Sequence, residues 1–220
     1  MSAILSLESI YHAYGNQSIF ENLSLSITEK SIIAILGKSG SGKSTLLQMM
    51  NGLVQPDRGL VTVFGEALDF NKIEELRLKI GYAVQSAGLF PHLIVEKNIL
   101  LPGIIAKRSA AQLQTRLSEL LGRVNLPQSF KSKYPSELSG GEQQRVGLCR
   151  AILLNPPIVL LDEPFSALDD ETKNEIHNQF LAIQKAEPRT IILVTHNNHE
   201  AEKLAESIFL IEDKKLKQIK

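Results

Sequence analysis

Gly37-Lys38-Ser39-Gly40-Ser41-Gly42-Lys43-Ser44-Thr45 is the stretch on which the reading of this chain turns. It fits the spacing G-x-x-x-x-G-K-[ST] of a phosphate-cradling loop. Immediately before it, Ile32-Ile33-Ala34-Ile35-Leu36 is an unbroken apolar run, the pattern of a strand buried on both faces. After it, the residues from Thr45 to Met50 are good helix formers apart from the threonine. The context is therefore strand, glycine loop, helix. Glycines let backbone N–H groups turn toward an anion with no Cβ in the way, and the start of a helix adds its dipole and its unpaired donors. Lys43 is placed to reach terminal phosphates and the Ser44 hydroxyl to hold Mg²⁺. A flexible Gly/Ser turn would explain the glycines, but not a strand, a lysine and a hydroxyl all in register.

The composition sets bounds on the rest. A length of 220 residues allows one large domain or two small ones. Twenty-four basic and 24 acidic residues give a formal net charge of zero, so no bulk basic field points to nucleic acid. The single cysteine, Cys149, rules out a disulfide within one chain and suits a reducing compartment. The opening Met1-Ser2-Ala3-Ile4 lacks the pattern of a signal peptide. No apolar run approaches the roughly 20 residues of a membrane span, so any membrane-spanning part is expected on another chain.

Taken in order, Leu5, Leu7 and Ile10 read as an edge or half-buried strand, and Tyr11 to Asn16 as a turn broken at Gly15-Asn16. Leu23, Leu25 and Ile27 alternate with serines in a second strand. Pro56-Asp57-Arg58-Gly59 is a turn before a strand over 60–64. A short surface helix over 74–79 and a strand over 80–84, ending at Gln85, follow. From Ser86 to about Leu138 the texture changes. Gly88, Pro91, Pro102, Gly103, Pro127 and Pro135 separate segments of helical periodicity. Leu113, Leu117 and Leu120 or Leu121 form a packing stripe, with Ser109 as the cap. Ser139 followed three residues later by Glu142 has capping-box spacing. The helix it opens carries Val146, Cys149, Ile152 and Leu153 on one face, with Cys149 a small core residue, and stops at Asn155-Pro156-Pro157. Buried strands follow at 158–161 and 190–195, with a helix from about Glu171 to Lys185 between them. A helix over 200–206, a strand over 208–211 and a lysine-rich tail complete the chain. Buried strands alternating with helices imply an α/β fold with a largely parallel sheet, whose ligands belong at the carboxyl ends of strands.

Several residues at those ends could carry chemistry. Asp162 ends a buried strand and can orient Mg²⁺, usually through water. Glu163, one residue on, is free to polarise an attacking water; a plain helix start is the bland alternative. Gly140 and Gly141 are poor first-turn residues on propensity and make sense where a phosphate must approach the backbone. His196 can hydrogen-bond a γ-phosphate or serve structure alone; no ligand set supports a zinc reading of His196 with His199. Tyr14 can stack on a purine or simply pack, and Gln85 can touch the metal or the water. His12, His92 and His177 are surface or packing residues.

Together these residues resemble the nucleotide-binding subunit of an ATP-binding-cassette (ABC) transporter, over nearly the whole chain. The resemblance rests on the loop at 37–45, Gln85, Leu138-Ser139-Gly140-Gly141-Glu142-Gln143, Ile158 to Pro164, Ser166-Ala167-Leu168-Asp169 and His196. It implies one ATP-binding domain over 1–220: a P-loop NTPase core with a largely parallel sheet, an N-terminal antiparallel β subdomain, and a helical subdomain inserted over about 86–155. It implies that Tyr14 stacks on adenine, and that Gly37 to Thr45, Lys43 and Ser44 among them, bind phosphate and magnesium. Gln85 and Asp162 would complete the metal site, with Glu163 as base, Asp169 communicating across a dimer and His196 sensing the γ-phosphate. Two copies, or this chain and a related subunit, would sandwich two ATP molecules, with Ser139 to Gly141 of one facing the phosphate held by the other. The region from Gln85 to Asn98 would receive a short helix of a permease subunit, and a solute-binding protein would complete the system. Such a subunit sits on the cytoplasmic face of the inner or plasma membrane.

The run Ile80 to Gln85, Gly88 to Leu93 and Tyr134-Pro135-Ser136-Glu137 look like importers of polar solutes, amino acids or quaternary amines. Asn197 departs from the Asp that importers often carry there, though Glu200-Ala201 fits. The sequence stops at Lys220 without the regulatory domain that several importers append, so regulation of that kind is not expected. The competing readings are a soluble ABC ATPase of DNA repair or translation, which usually needs a coiled-coil insertion or a second cassette, a subunit serving lipid or lipoprotein export, and a non-hydrolysing module, against which Lys43, Glu163 and His196 argue.

Overall fold

The computed structural model describes residues 3–70, 72–85 and 87–220; Ser86, the expected start of the helical insertion, lies outside them. The chain divides into two compact units, Met1–Arg77 with Arg189–Lys220, and Leu78–Pro188.

The first unit holds two sheets. In one, β1 (Ala3–Tyr14) pairs antiparallel with β2 (Gln17–Thr28) on one side and β4 (Arg58–Val63) on the other, with the short β5 (Glu66–Ala67) beyond. Leu5 and Leu7 of β1 and Leu23, Leu25 and Ile27 of β2 are buried, their period-two spacing turning every second side chain inward; Ile10 is buried too, brought to the same face by a shift of register between Leu7 and Ile10, where Ser9 has φ 49°. Of the two expectations, edge or half-buried, β1 is the second: it lies between β2 and β4 and alternates buried with exposed residues. It also runs on through Tyr11 to Tyr14, so only Gly15-Asn16 turns, with Gly15 at φ 58°. The strand continues because Asp57 ties it down: its N–H donates to the Tyr11 carbonyl at 3.0 Å and its Oδ2 accepts from the Ala13 N–H at 2.8 Å.

In the other sheet β3 (Ile32–Gly37) runs parallel to both β8 (Thr190–Thr195) and β9 (Ser207–Glu212). Residues 32–36 and 190–195 are all buried, as their apolar runs require. The lysine-rich tail is a strand, β10 (Lys215–Gln218), antiparallel to β9. Its exposed Lys215 and Lys217 flank Leu216, and charged side chains suit an edge strand because they oppose further pairing. The helices of this unit are α1 (Lys43–Met50), α2 (Ile73–Arg77) and α7 (Asn198–Leu204).

The second unit pairs β6 (Ile80–Ala83) with β7 (Ile158–Asp162) in parallel. Four helices belong to it: α3 (Val95–Ile105), α4 (Ala110–Arg123), α5 (Gly140–Ile152) and α6 (Asp170–Ala186). Ser109 caps α4 by accepting from the Gln112 N–H at 3.3 Å, and Leu113, Leu117, Leu120 and Leu121 are buried, as the stripe predicts. Pro102 and Gly103 do not separate segments; α3 runs through both. Gly103 lies close against α4, since a Cβ there would stand 2.3 Å from Leu113 Cδ2. Cys149 is fully buried, and burial pushes its thiol up to about 12. Among the described residues no helix is long and apolar enough to cross a membrane.

Two glycines of this unit predict opposite responses. A Cβ on Gly81 would lie 2.2 Å from the Ala151 carbonyl oxygen, whereas one on the exposed Gly122 of α4 would meet nothing within 4 Å. Gly81→Ala is expected to lower unfolding stability by about 1–3 kcal/mol and Gly122→Ala to raise it by roughly 0.5–1 kcal/mol. Denaturant melts of the two variants check both signs.

Candidate functional site

The glycine loop joins β3 to α1. Gly42 caps α1 with φ 95° and no side-chain hydrogen bond, and the first turn carries no acidic residue. The start of the helix is therefore left positive and open. Lys43 is only 7% exposed; its ammonium bends back to donate to the carbonyls of Gly37 at 2.8 Å and Lys38 at 3.0 Å. The Ser41 Oγ is buried with no partner among the described residues. Gly42 is needed sterically, since a Cβ would stand 2.5 Å from Ile19 Cγ2 and 2.8 Å from Phe20 Cζ. A cavity of about 420 Å³ lies against the loop, lined by Gln17 to Ile19, Lys38 to Ser41 and Leu210 to Lys214. Tyr14 is not part of that lining. It stands at the end of β1, 51% exposed, in an edge contact with His12 at 4.8 Å. Because Leu36 is paired with Thr195, the parallel register carries His196 out of β8 at the end where the loop leaves β3. The backbone beyond His196 is fixed: Thr195 donates to Glu200, the Asn197 N–H donates to Thr195 Oγ1 at 3.1 Å, and Asn197 caps α7 by accepting from the Glu200 N–H at 3.2 Å. Asn is as good a cap as Asp, so this departure leaves the turn intact.

The second unit shows the same arrangement. Ala83 is paired with Leu161, so Gln85 and Asp162-Glu163 emerge at one end of β6 and β7. Asp162 is 5% exposed. The Gln85 Nε2 donates to Glu163 Oε2 at 3.3 Å. Glu163 has φ 47°, a left-handed backbone that a side chain of this size rarely holds. Ser139 and Glu142 make the predicted capping box in full: the Glu142 N–H donates to Ser139 Oγ at 3.3 Å and the Ser139 N–H to Glu142 Oε2 at 2.7 Å. The two glycines behind Ser139 differ. A Cβ on Gly141 would strike Leu168 Cδ2 at 2.4 Å, so packing within the unit explains it. Gly140 is exposed, with nothing nearer than Ala167 Cβ at 3.4 Å. Asp169 caps α6, its Oδ1 accepting from the Thr172 N–H at 2.9 Å.

Sequence reasoning passed over two residues that hold these loops. Arg150 donates to the Ala87 and Gly88 carbonyls at 2.7 and 2.9 Å, behind Gln85. Burial lowers its proton affinity, but a guanidinium stays charged. Gln144 reaches Ser166 and Ala167. Its one sequence signal is a polar residue on the buried stripe with Leu148, Ala151 and Ile152.

Residues 20–166 match the sequence model of the ABC transporter family, which is two-thirds of the chain. The chain belongs to the ABC transporter family. The cassette is 39% identical over 217 residues to the choline transport ATP-binding protein OpuBA of Bacillus subtilis, covering 98% of this chain and 57% of that one. It is 42% identical over 199 residues to the glycine betaine uptake system ATP-binding protein YehX of Escherichia coli, covering 90% and 65%. It thus spans rather more than half the length of these two relatives. It is 41% identical to the ergothioneine transport ATP-binding protein EgtV of Helicobacter pylori, covering 93% and 95%. Among solved structures it resembles a dimeric bacterial ABC transporter cassette, with a TM-score of 0.90 and 32% identity over 98% of this chain. The α/β fold of a P-loop NTPase is therefore that of the cassette.

The left-handed backbone at Glu163 can be tested directly. Glycine accepts this conformation and alanine does not, so Glu163→Gly is expected to be more stable than Glu163→Ala by about 1 kcal/mol. Guanidinium melts of the pair decide; alanine equal to glycine would mean that residue 163 relaxes out of that backbone region.

Proposed function

We propose that the cassette is the ATP-hydrolysing subunit of an importer, driving a polar solute such as a quaternary amine or an amino acid through separate membrane subunits. The observation that carries this reading is the open, acid-free start of α1 with the Lys43 ammonium held at the first carbonyls of the same loop. That arrangement suits an anion such as a phosphate group. The unpartnered Ser41 Oγ adds a buried hydroxyl on the same loop.

Backbone N–H groups from Gly37 to Thr45 and the Lys43 ammonium bind the phosphates, and Tyr14, exposed on its strand end, stacks on the adenine. Glu163 takes the proton of the attacking water, and the amide of Gln85 holds its carboxylate in place. His196 donates to the γ-phosphate. Ser44, Asp162 and Gln85 each offer an oxygen donor of the kind a hard cation takes, and Mg²⁺ would neutralise charge on the transferred phosphoryl group. Gly140, exposed beyond the capped Ser139, leaves room for a phosphate held by a second copy, and Asp169, exposed two residues beyond the Ala167 that Gly140 approaches, communicates across that dimer. The reading therefore requires a dimer, of this chain or with a related subunit.

The solute class is supported by the relatives, whose names specify choline, glycine betaine and ergothioneine transport. The permease is received around Gln85 to Asn98, where Phe90 is 42% exposed on a loop that buried Asn98 holds. Asn98 Oδ1 accepts from the Phe90 N–H at 2.8 Å, and its Nδ2 donates to the carbonyls of Phe90 at 3.1 Å and Leu93 at 2.8 Å. A solute-binding protein completes the system, and the cassette sits peripherally on the cytoplasmic face of the membrane.

Glu163→Gln is expected to bind ATP, to lose steady-state turnover by at least about 100-fold, and to run as a dimer on size exclusion with ATP and Mg²⁺. A variant that hydrolyses at the wild-type rate removes Glu163 as base. Ser139→Arg is expected to abolish hydrolysis while the isolated monomer keeps its nucleotide affinity, read by fluorescent-nucleotide titration. An equal loss of affinity in the monomer would place the Ser139 loop at its own chain's nucleotide.

A further inference from the structure

Glu163 is one of several non-glycine residues of the second unit in left-handed backbone, with Ala87, Lys107, Asn125 and Asn155, and its surroundings explain how that conformation is held. Non-glycine residues persist in left-handed backbone only where neighbours over-determine them. Three donors converge on the Glu163 carbonyl oxygen. The Ser166 N–H lies at 3.2 Å, the Ser166 hydroxyl at 2.9 Å, and the Gln144 Nε2 at a looser 3.5 Å. The same Nε2 donates more closely to Ser166 Oγ, at 3.0 Å, and so orients that hydroxyl with its proton toward Glu163. The other end of the amide is also used, since Gln144 Oε1 accepts from the Ala167 N–H at 3.1 Å. Nε2 also approaches the Gln85 carbonyl at 3.5 Å.

Gln144 pays for burial with these contacts. It is 8% exposed, on a stripe of α5 whose other members, Gly141, Leu148, Ala151 and Ile152, are apolar. A filler at this position needs no amide; a residue that must place two loops does. Both of those loops end in side chains that meet, since Gln85 Nε2 donates to Glu163 Oε2.

The geometry points to Gln144 as a positioning residue for hydrolysis. Through Ser166 it locks the Glu163 peptide in its left-handed form and so aims the carboxylate. The inference rests on the reading of Glu163 as the base. It goes further in tying that aim to the opening of α5, five residues after Ser139. The turn that would meet a nucleotide on a second copy and the base of its own chain are thereby joined by one side chain. A shift of the α5 start is passed to Glu163 without any change in the bonds that hold the phosphate loop.

The test is steady-state ATPase of the full chain with Mg²⁺. Gln144→Met keeps length and volume and removes the amide. Gln144→Glu keeps an acceptor for the Ala167 N–H and loses the donor to Ser166. Both are expected to lower kcat by about tenfold or more, the scale of a catalytic group misplaced by less than 1 Å, with KM for ATP changed less than about twofold. Ser166→Ala is expected to lower kcat likewise, and Gln144→Met with Ser166→Ala to be no worse than the poorer single variant, because the two act in series. Wild-type kcat in Gln144→Met overturns the inference. So does a loss of kcat matched by an equal rise in KM and a lower melting temperature, which marks Gln144 as packing alone. Glu163→Gln in parallel separates the failures. If it is inactive while Gln144→Met is unimpaired, only the role of Gln144 falls; if it hydrolyses normally, the reading of the site falls with it.

Discussion

Parallel pairing of buried strands is the constraint on which the rest depends. A parallel neighbour leaves the sheet at the same end as the strand it pairs with. The register Leu36 to Thr195 therefore sends the glycine loop and His196 out together, and Ala83 to Leu161 does the same for Gln85 and Glu163. The residues between those ends are mostly apolar and, apart from Tyr82, buried, so a slip of register would leave backbone donors unpaired where water cannot reach them. Chemistry concentrated at strand ends is a consequence of this pairing rather than a separate design.

The helix starts show how charge is managed. α4, α5, α6 and α7 each begin at a residue whose side chain accepts a backbone N–H: Ser109, Ser139, Asp169 and Asn197. α1 begins at Gly42, with no such acceptor and no acid in its first turn. Glycine in place of a side-chain cap costs little stability, about a few tenths of a kcal/mol. It creates the place where an anion binds best. α3 also begins without a side-chain acceptor, at Ile94, but carries Glu96 in its first turn, so α1 stands apart from it in lacking both.

Strain is managed in a similar way. Glu163 stands in a backbone region suited to glycine, and glycine there would carry no carboxylate. The conformation survives because the Ser166 amide and hydroxyl and the Gln144 amide all close on one carbonyl oxygen. Gly81 and Gly141 mark the opposite solution, where the chain gives up a side chain so that backbone or leucine can come close.

Much of this was legible in the sequence, for physical reasons. Doubly buried strands must be continuous apolar runs, so 32–36, 158–161 and 190–195 declared themselves, and a strand that ends in Gly-x-x-x-x-Gly-Lys-Ser admits few structures. The capping box at Ser139 and Glu142 and the leucine stripe of α4 were legible because they obey short-range spacing. Other features depended on partners remote in sequence. β1 proved interior because β4 covers its second edge, and the lysine tail became a strand because β9 offers it one. α3 runs through Pro102 and Gly103, and Gly103 is where Leu113 of α4 comes close. Gln144 was illegible as a working residue, since an amide means nothing until the backbone it grips, some 20 residues further on, has been folded against it. Local pattern thus determined which elements form and where the phosphate loop lies. Only tertiary packing decided which strand is central, which glycine is a packing need, and which buried amide holds Glu163 in its left-handed turn, because each of these is settled by a contact that sequence spacing does not encode.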